Sequence, residues 1–253
     1  MARLAFRLLP SMILSFFAGV PAIAGLISDN DLLYLPSSGP KVSFGRIHAL
    51  TMADGADSQL LDRPIRFTHI NQIELASNED NLLNLKKLST NYPGLRRLGL
   101  RQREKAANDL VALLSTFPQL DDLAIDCPVS EPRALPGFLP KSLTQLYLGP
   151  TSNVAESAAA RLELPTLKNI DIRGCTMSSA FLANCRVPKL QQISLVNVMF
   201  DRGSLLALTR FPKFKLLDIY YSKKLFEPMS KIVNAEVSDL RQRGIRVTLI
   251  VGT

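Results

Sequence analysis

Residues 117–125 read Phe117-Pro118-Gln119-Leu120-Asp121-Asp122-Leu123-Ala124-Ile125, and the phrase returns along the chain. Its copies run from Tyr92-Pro93 to Leu100, Leu164-Pro165 to Ile172, Val187-Pro188 to Leu195 and Phe211-Pro212 to Ile219. Residues 139–148, LPKSLTQLYL, carry one inserted residue, and shorter copies without proline begin at Ile47 and Ile70. The first apolar anchors stand at 47, 70, 95, 120, 143, 167, 190 and 214, so successive units are 23 to 25 residues apart. A fixed period of that size marks stacked supersecondary units, none of which can bury its apolar face alone. The second and third apolar residues of each phrase are two apart, which in a strand puts both on one face. In the uninterrupted copies proline stands two before the first anchor. There its missing N–H breaks no ladder bond, and it stops the preceding helical segment.

Helical spacing fills the stretches between the phrases. Leu82, Leu85 and Leu88 share a face, as do Ala106, Leu110, Leu113 and Leu114. Leu205, Leu206 and Leu208 suggest a shorter turn, and the Ala-rich segment 154–162 is a good helix former with small side chains. Each unit therefore reads as strand, turn and helix. The phrase resembles the leucine-rich repeat superfamily, whose units follow L-x-x-L-x-L-x-x-N/C-x-L over about 20–29 residues. The resemblance covers residues 45–222 and implies an α/β solenoid. Its shape would be a curved horseshoe, with parallel strands on the concave face and short helices on the convex face. The Asn/Cys position of the motif is held by Asn78 and Cys175, but by Arg103, Pro128, Thr151, Val198 and Ser222 elsewhere, so the turns should differ between units.

This organises the chain into residues 1–24, a leader; 25–46, an N-terminal cap; 47–222, seven to eight repeats; and 223–253, a C-terminal cap. The leader carries Arg3 and Arg7, an apolar run from Leu8 to Val20, then Pro21 and Ala22-Ile23-Ala24. That order is the pattern of a secretory signal peptide cleaved after Ala24. The product would be extracytoplasmic, secreted or periplasmic, and its later sequence contains no transmembrane segment. Loss of Arg3 and Arg7 takes the formal charge from +8 to +6. In the C-terminal segment, Met229, Ile232, Val233, Val237 and Leu240 have helical spacing, Gly244 is a stop, and Ile245, Val247 and Leu249 alternate as in a strand.

The chemistry-bearing residues are sparse. There are three Cys and two His, and no G-x-S-x-G, H-E-x-x-H, C-x-x-C or Gly-rich phosphate loop. His48 and His69 have no motif partner and read as structural residues. Cys127 and Cys175 lie two units apart, too far to pair, and Cys175 and Cys185 share a unit but fall at strand exit and convex helix, so all three read as buried thiols. No metal cage, cofactor or catalytic set emerges, and the chain reads as non-catalytic.

The residues flanking the second and third anchors should line the concave face. Among them Arg97, Arg101, Asp122, Asp126, Tyr147, Asp171, Arg173, Asp218 and Tyr220 form the candidate binding set. Mixed charge with Tyr and Arg suits a protein partner, and solenoids bind through extended concave surfaces. The expected function is thus an exported protein that binds another protein through this face. An alternative is an envelope or surface-associated structural protein, held to anionic polymers or lipids by basic edges such as Lys213, Lys215, Arg243 and Arg246. Nucleic acid fits poorly, because the basic residues are interleaved with acids.

Overall fold

The proline phrase folds as a turn that launches a strand. The first anchor's amide donates to the carbonyl three residues earlier in five copies: Leu95 to Tyr92, Leu120 to Phe117, Leu167 to Leu164, Leu190 to Val187 and Phe214 to Phe211, at 3.0–3.3 Å. Pro118, Pro165, Pro188 and Pro212 thereby occupy the second position of a β-turn, where the fixed proline φ is favoured. In the copy with the insertion the same bond runs from Leu143 to Pro140 at 3.2 Å. The extra residue is thus absorbed ahead of the turn, and the strand keeps its register.

The computed structural model describes residues 32–35, 49–52, 72–75 and, from 86 to 252, all but 87, 91, 93, 102–107 and 158–160. The expected signal peptide 1–24 lies outside the described residues, as do His48 and His69 and most of the expected N-terminal cap. The fold is α/β. Its strands are β1 (Leu32–Leu35), β2 (Ala49–Met52), β3 (Gln72–Leu75), β4 (Arg97–Arg101), β5 (Asp122–Asp126), β6 (Gln145–Leu148) and β7 (Asn169–Arg173). They continue as β8 (Thr176–Met177), β9 (Gln192–Val196), β10 (Met199–Phe200), β11 (Leu216–Ser222) and β12 (Arg246–Gly252). Ten of these build one sheet in chain order, β1-β2-β3-β4-β5-β6-β7-β9-β11-β12, while β8 and β10 pair with each other. Every pairing is parallel.

Register aligns the apolar pairs of successive phrases. Leu98, Leu123, Leu146, Ile170, Ile193 and Leu217 form one row, and Leu100, Ile125, Leu148, Ile172, Leu195 and Ile219 the next. None of the twelve is more than 2% exposed. Short helices follow the strands: α1 (Asn108–Ala112) with a 3₁₀ turn at Leu113–Thr116, α2 (Leu135–Phe138), α3 (Ser179–Asn184), and a 3₁₀ turn at Leu205–Arg210. Ser178 caps α3 by accepting from the Ala180 amide at 3.3 Å.

The Ala-rich segment differs from its expected helix. Residues 154–156 form a turn, and Glu163 bridges Arg186 in parallel. Bonds from Arg186 N to Leu162 O (2.7 Å) and Leu164 N to Arg186 O (3.3 Å) hold the chain extended. Extended backbone delivers both Leu162 and Leu164 to the core. Local helix propensity gives way to tertiary pairing.

The long helix α4 (Lys223–Gln242) buries Met229, Val233, Val237 and Leu240, the stripe expected of an amphipathic helix. It ends in a Schellman motif. Ile245 N donates to Leu240 O at 3.1 Å and Gly244 N to Arg241 O at 3.0 Å, with Gly244 at φ +82°. The left-handed turn sends the chain into β12, which extends the sheet beyond β11. Among the described residues no helix is long and apolar enough to cross a membrane.

Candidate binding face

Alternation along each strand leaves the second sheet face open. In β5, β7 and β9 the anchors are buried and their neighbours only half-buried. Asp122, Asp126, Tyr147, Asp171, Arg173, Asp218 and Tyr220 all take the half-buried places, and Arg97 is exposed. Arg101 closes β4, in register with Asp126.

Within this face the structure brings together three groups. The first is Arg97, whose Nε lies 3.9 Å from Asp122 Oδ2 across the β4–β5 pair. Burial raises the Asp122 carboxyl pKa above its ordinary value; Arg97 opposes the shift and Asp121 adds to it.

The second group is a clamp. Arg173 Nε and Nη2 donate to the two oxygens of Asp171 at 3.1 and 2.8 Å, a bidentate pair two residues apart on one strand face. The same guanidinium sits 5.2 Å from the centroid of the Tyr147 ring, on the neighbouring strand. The Asp171 hydrogen bond is the main cause that raises the Arg173 pKa. An arginine that would otherwise swing over many rotamers is thus held in one place by charge and ring together.

The third group surrounds Asp218, whose Oδ2 accepts from Gln192 Nε2 at 2.9 Å. Tyr220 lies two residues on, on the same face. Its phenol pKa is raised by burial first, and then by the Asp218 and Asp171 carboxylates.

Asp126 serves a different end. Its Oδ1 accepts from the Thr151 amide at 3.2 Å and the Thr151 hydroxyl at 2.9 Å. The carboxyl lies where a Cβ on Gly149 would be, 2.3 Å from that position. Gly149 therefore leaves room for Asp126 to lie down on the strand exit, and this acid belongs to the turn as well as to the face.

Three residues missing from the expected set complete the site. Gln192 orients Asp218, Ser194 separates Asp171 from Asp218 in register, and Thr248 on β12 lies beside Asp218. Gln192 and Ser194 stand at readable strand positions. Thr248 follows the break in the period, and only the β11–β12 pairing gives it a place on the face.

The turn backbone is satisfied by residues away from the Asn/Cys position. Asn153 accepts from Val129 N (2.8 Å) and donates to Val129 O (2.9 Å), as a strand neighbour would. Asn197, at φ +53°, accepts from Ser222 N at 2.8 Å. The signal was present in the sequence: asparagine tolerates the left-handed region and binds backbone at turns.

Cys127, Cys175 and Cys185 are buried free thiols. Burial pushes their pKa values up to about 12, about 11 and about 12 respectively, which withholds the reactive thiolate. Among the described residues no group of His, Cys, Asp and Glu is placed to hold a metal ion. Compared with family models and with curated proteins, the chain matches none.

Proposed function

We propose that this chain is an exported, non-catalytic leucine-rich repeat protein that binds another protein through the concave face of its solenoid. The 23–25-residue period and the sheet that adds strands in chain order support the repeat reading. The observation that carries the binding reading is the ordered row Tyr147, Asp171–Arg173, Asp218 and Tyr220 on the open side of the parallel sheet. Such a row presents aromatic rings and fixed charges at low entropic cost, which is what a protein partner's hot spots need.

The test uses the protein as affinity bait on an extracytoplasmic fraction, beside a variant combining Tyr147→Ala, Asp171→Asn and Asp218→Asn. A saturable protein partner should bind the first and be lost from the second, with both chains melting alike. Equal capture by the two would overturn the reading.

A second reading, attachment to an anionic surface, is favoured by one observation. Lys168, Lys189, Lys213, Lys215 and Arg246 are all exposed. Backbone bonds from Gln191 N to Lys168 O, Lys215 N to Gln191 O and Arg246 N to Lys215 O place Lys168, Lys215 and Arg246 along one leading edge of the sheet. Salt-sensitive sedimentation with anionic vesicles, insensitive to the face variant, would favour it over the first reading.

A further inference from the structure

The carboxylates of the open face are not equally satisfied. Asp122 faces Arg97, Asp171 grips Arg173, and Asp126 lies on Thr151. Asp218 differs: its hydrogen bond comes from the neutral Gln192 amide, and none of the ion pairs among the described residues reaches it. A half-buried carboxylate without a counter-charge is an attractor for a cation from outside.

Its surroundings narrow the choice of cation. Register sets Ser194 on one side of Asp218 and Thr248 on the other, each about 4.8 Å away along the sheet. Both carry hydroxyls, which can accept hydrogen bonds. Tyr220 on the same strand face adds an aromatic wall, kept protonated by burial and by the two nearby carboxylates. One carboxylate and two hydroxyls supply fewer oxygens than the about six to eight that calcium takes. They suit an ammonium group, whose three donors point from a compact head. A guanidinium fork uses both oxygens of a carboxylate, and here it would have to share Oδ2 with the Gln192 amide, whereas a single ammonium donor can take the other oxygen. The ring on the other side of the face, Tyr147, already has the chain's own Arg173 over it.

We propose that the partner presents a lysine, its ammonium seated on Asp218 between Ser194 and Thr248 and beside Tyr220. This rests on reading the face as a protein-binding surface. The lysine is what that surface selects.

The test passes synthetic peptide pools over the immobilised full chain at low salt. The pools share randomised flanks and differ in a fixed central residue: lysine, arginine, glutamate or norleucine. The lysine pool should be retained roughly tenfold better than the norleucine pool, whose four-carbon side chain lacks the ammonium, as expected for a charge-assisted hydrogen bond. Asp218→Asn, which keeps the shape and the Gln192 neighbour, should erase that preference without moving the melting temperature. Tyr147→Ala should lower retention of every pool. Equal retention of lysine and norleucine, an arginine pool held better than lysine, or a preference that survives Asp218→Asn would each overturn the lysine seat. If Tyr147→Ala still weakens binding in those cases, the wider reading of the face stands. If neither substitution changes retention, or no pool is retained, both fall.

Discussion

Asp122 shows how one side chain on a sheet face answers two opposing influences. Burial against the sheet disfavours its charged form, and Arg97 across the strand pair favours it; burial prevails and the pKa is raised. The unfolded chain therefore releases this proton at lower pH than the folded one. Below the unfolded value both states hold the proton and the residue is neutral to stability. As pH rises through the raised folded value, the unfolded state gains and stability falls. Asp122→Asn should thus melt like the parent at the acid end of that window and increasingly above it as pH rises. Thermal melts across the acid range check the sign, and a gap that widens toward acid would contradict it. The position of Asp122 on the open face was legible from alternation with Leu123 and Ile125. Its charge state was not, because burial and the distance to Arg97 depend on how the strands pair.

At the scale of elements, α4 is bound to the 3₁₀ turn Leu205–Arg210 by a carboxylate, beside the packing of its own apolar stripe. Glu236 is 3% exposed, and its two oxygens accept from the Gly203 and Leu205 amides at the start of the 3₁₀ turn Leu205–Arg210. Those amides have no intrahelical partner, so Glu236 supplies from another helix the cap that the turn's own sequence lacks. Glu236→Ala would strand the amide of buried Leu205, at a cost of ~1–3 kcal/mol, while the amide of exposed Gly203 can turn to water. Denaturant unfolding should register a loss of about 1–3 kcal/mol, against less than 1 kcal/mol for the exposed Glu227→Ala. Equal effects would remove the capping role. The helix itself was legible from Met229, Val233, Val237 and Leu240. Glu236 was not, since a glutamate in that stripe looks like an interruption of the apolar face until the partner turn is in place. The Ala-rich segment 154–162 errs the other way: its propensity is helical, yet residues 154–156 form a turn and the pairing of Glu163 with Arg186 holds the chain extended at its end.

Across the whole molecule, the buried rows run without a break from strand to strand, and the three thiols lie within the same core. Cys127 and Cys185 are fully buried and Cys175 is 7% exposed. With their pKa values raised, little thiolate exists at mildly alkaline pH, and access requires the core to open. A thiol reagent should leave all three unmodified in the native protein and label them together on unfolding. Their rates should track the opening of the core. One thiol reacting natively at the rate of a free cysteine would contradict this.

The sequence alone determined the strand phrase, its period and which of each strand's two faces is apolar. The phrase and the apolar face are properties of neighbours two or three residues apart, where alternation and proline's fixed φ act locally. It also determined a sparse inventory of two His and three Cys. Tertiary structure decided which members of the polar strip meet. Arg173 turns to Asp171 and Tyr147, Asp126 lies down over Gly149, and Gln192 reaches Asp218 one strand away. It also brought Thr248, beyond the last repeat phrase, beside Asp218 through the β11–β12 register. The contacts between strands join residues up to 30 positions apart, and parallel pairing at one strand per step makes them neighbours.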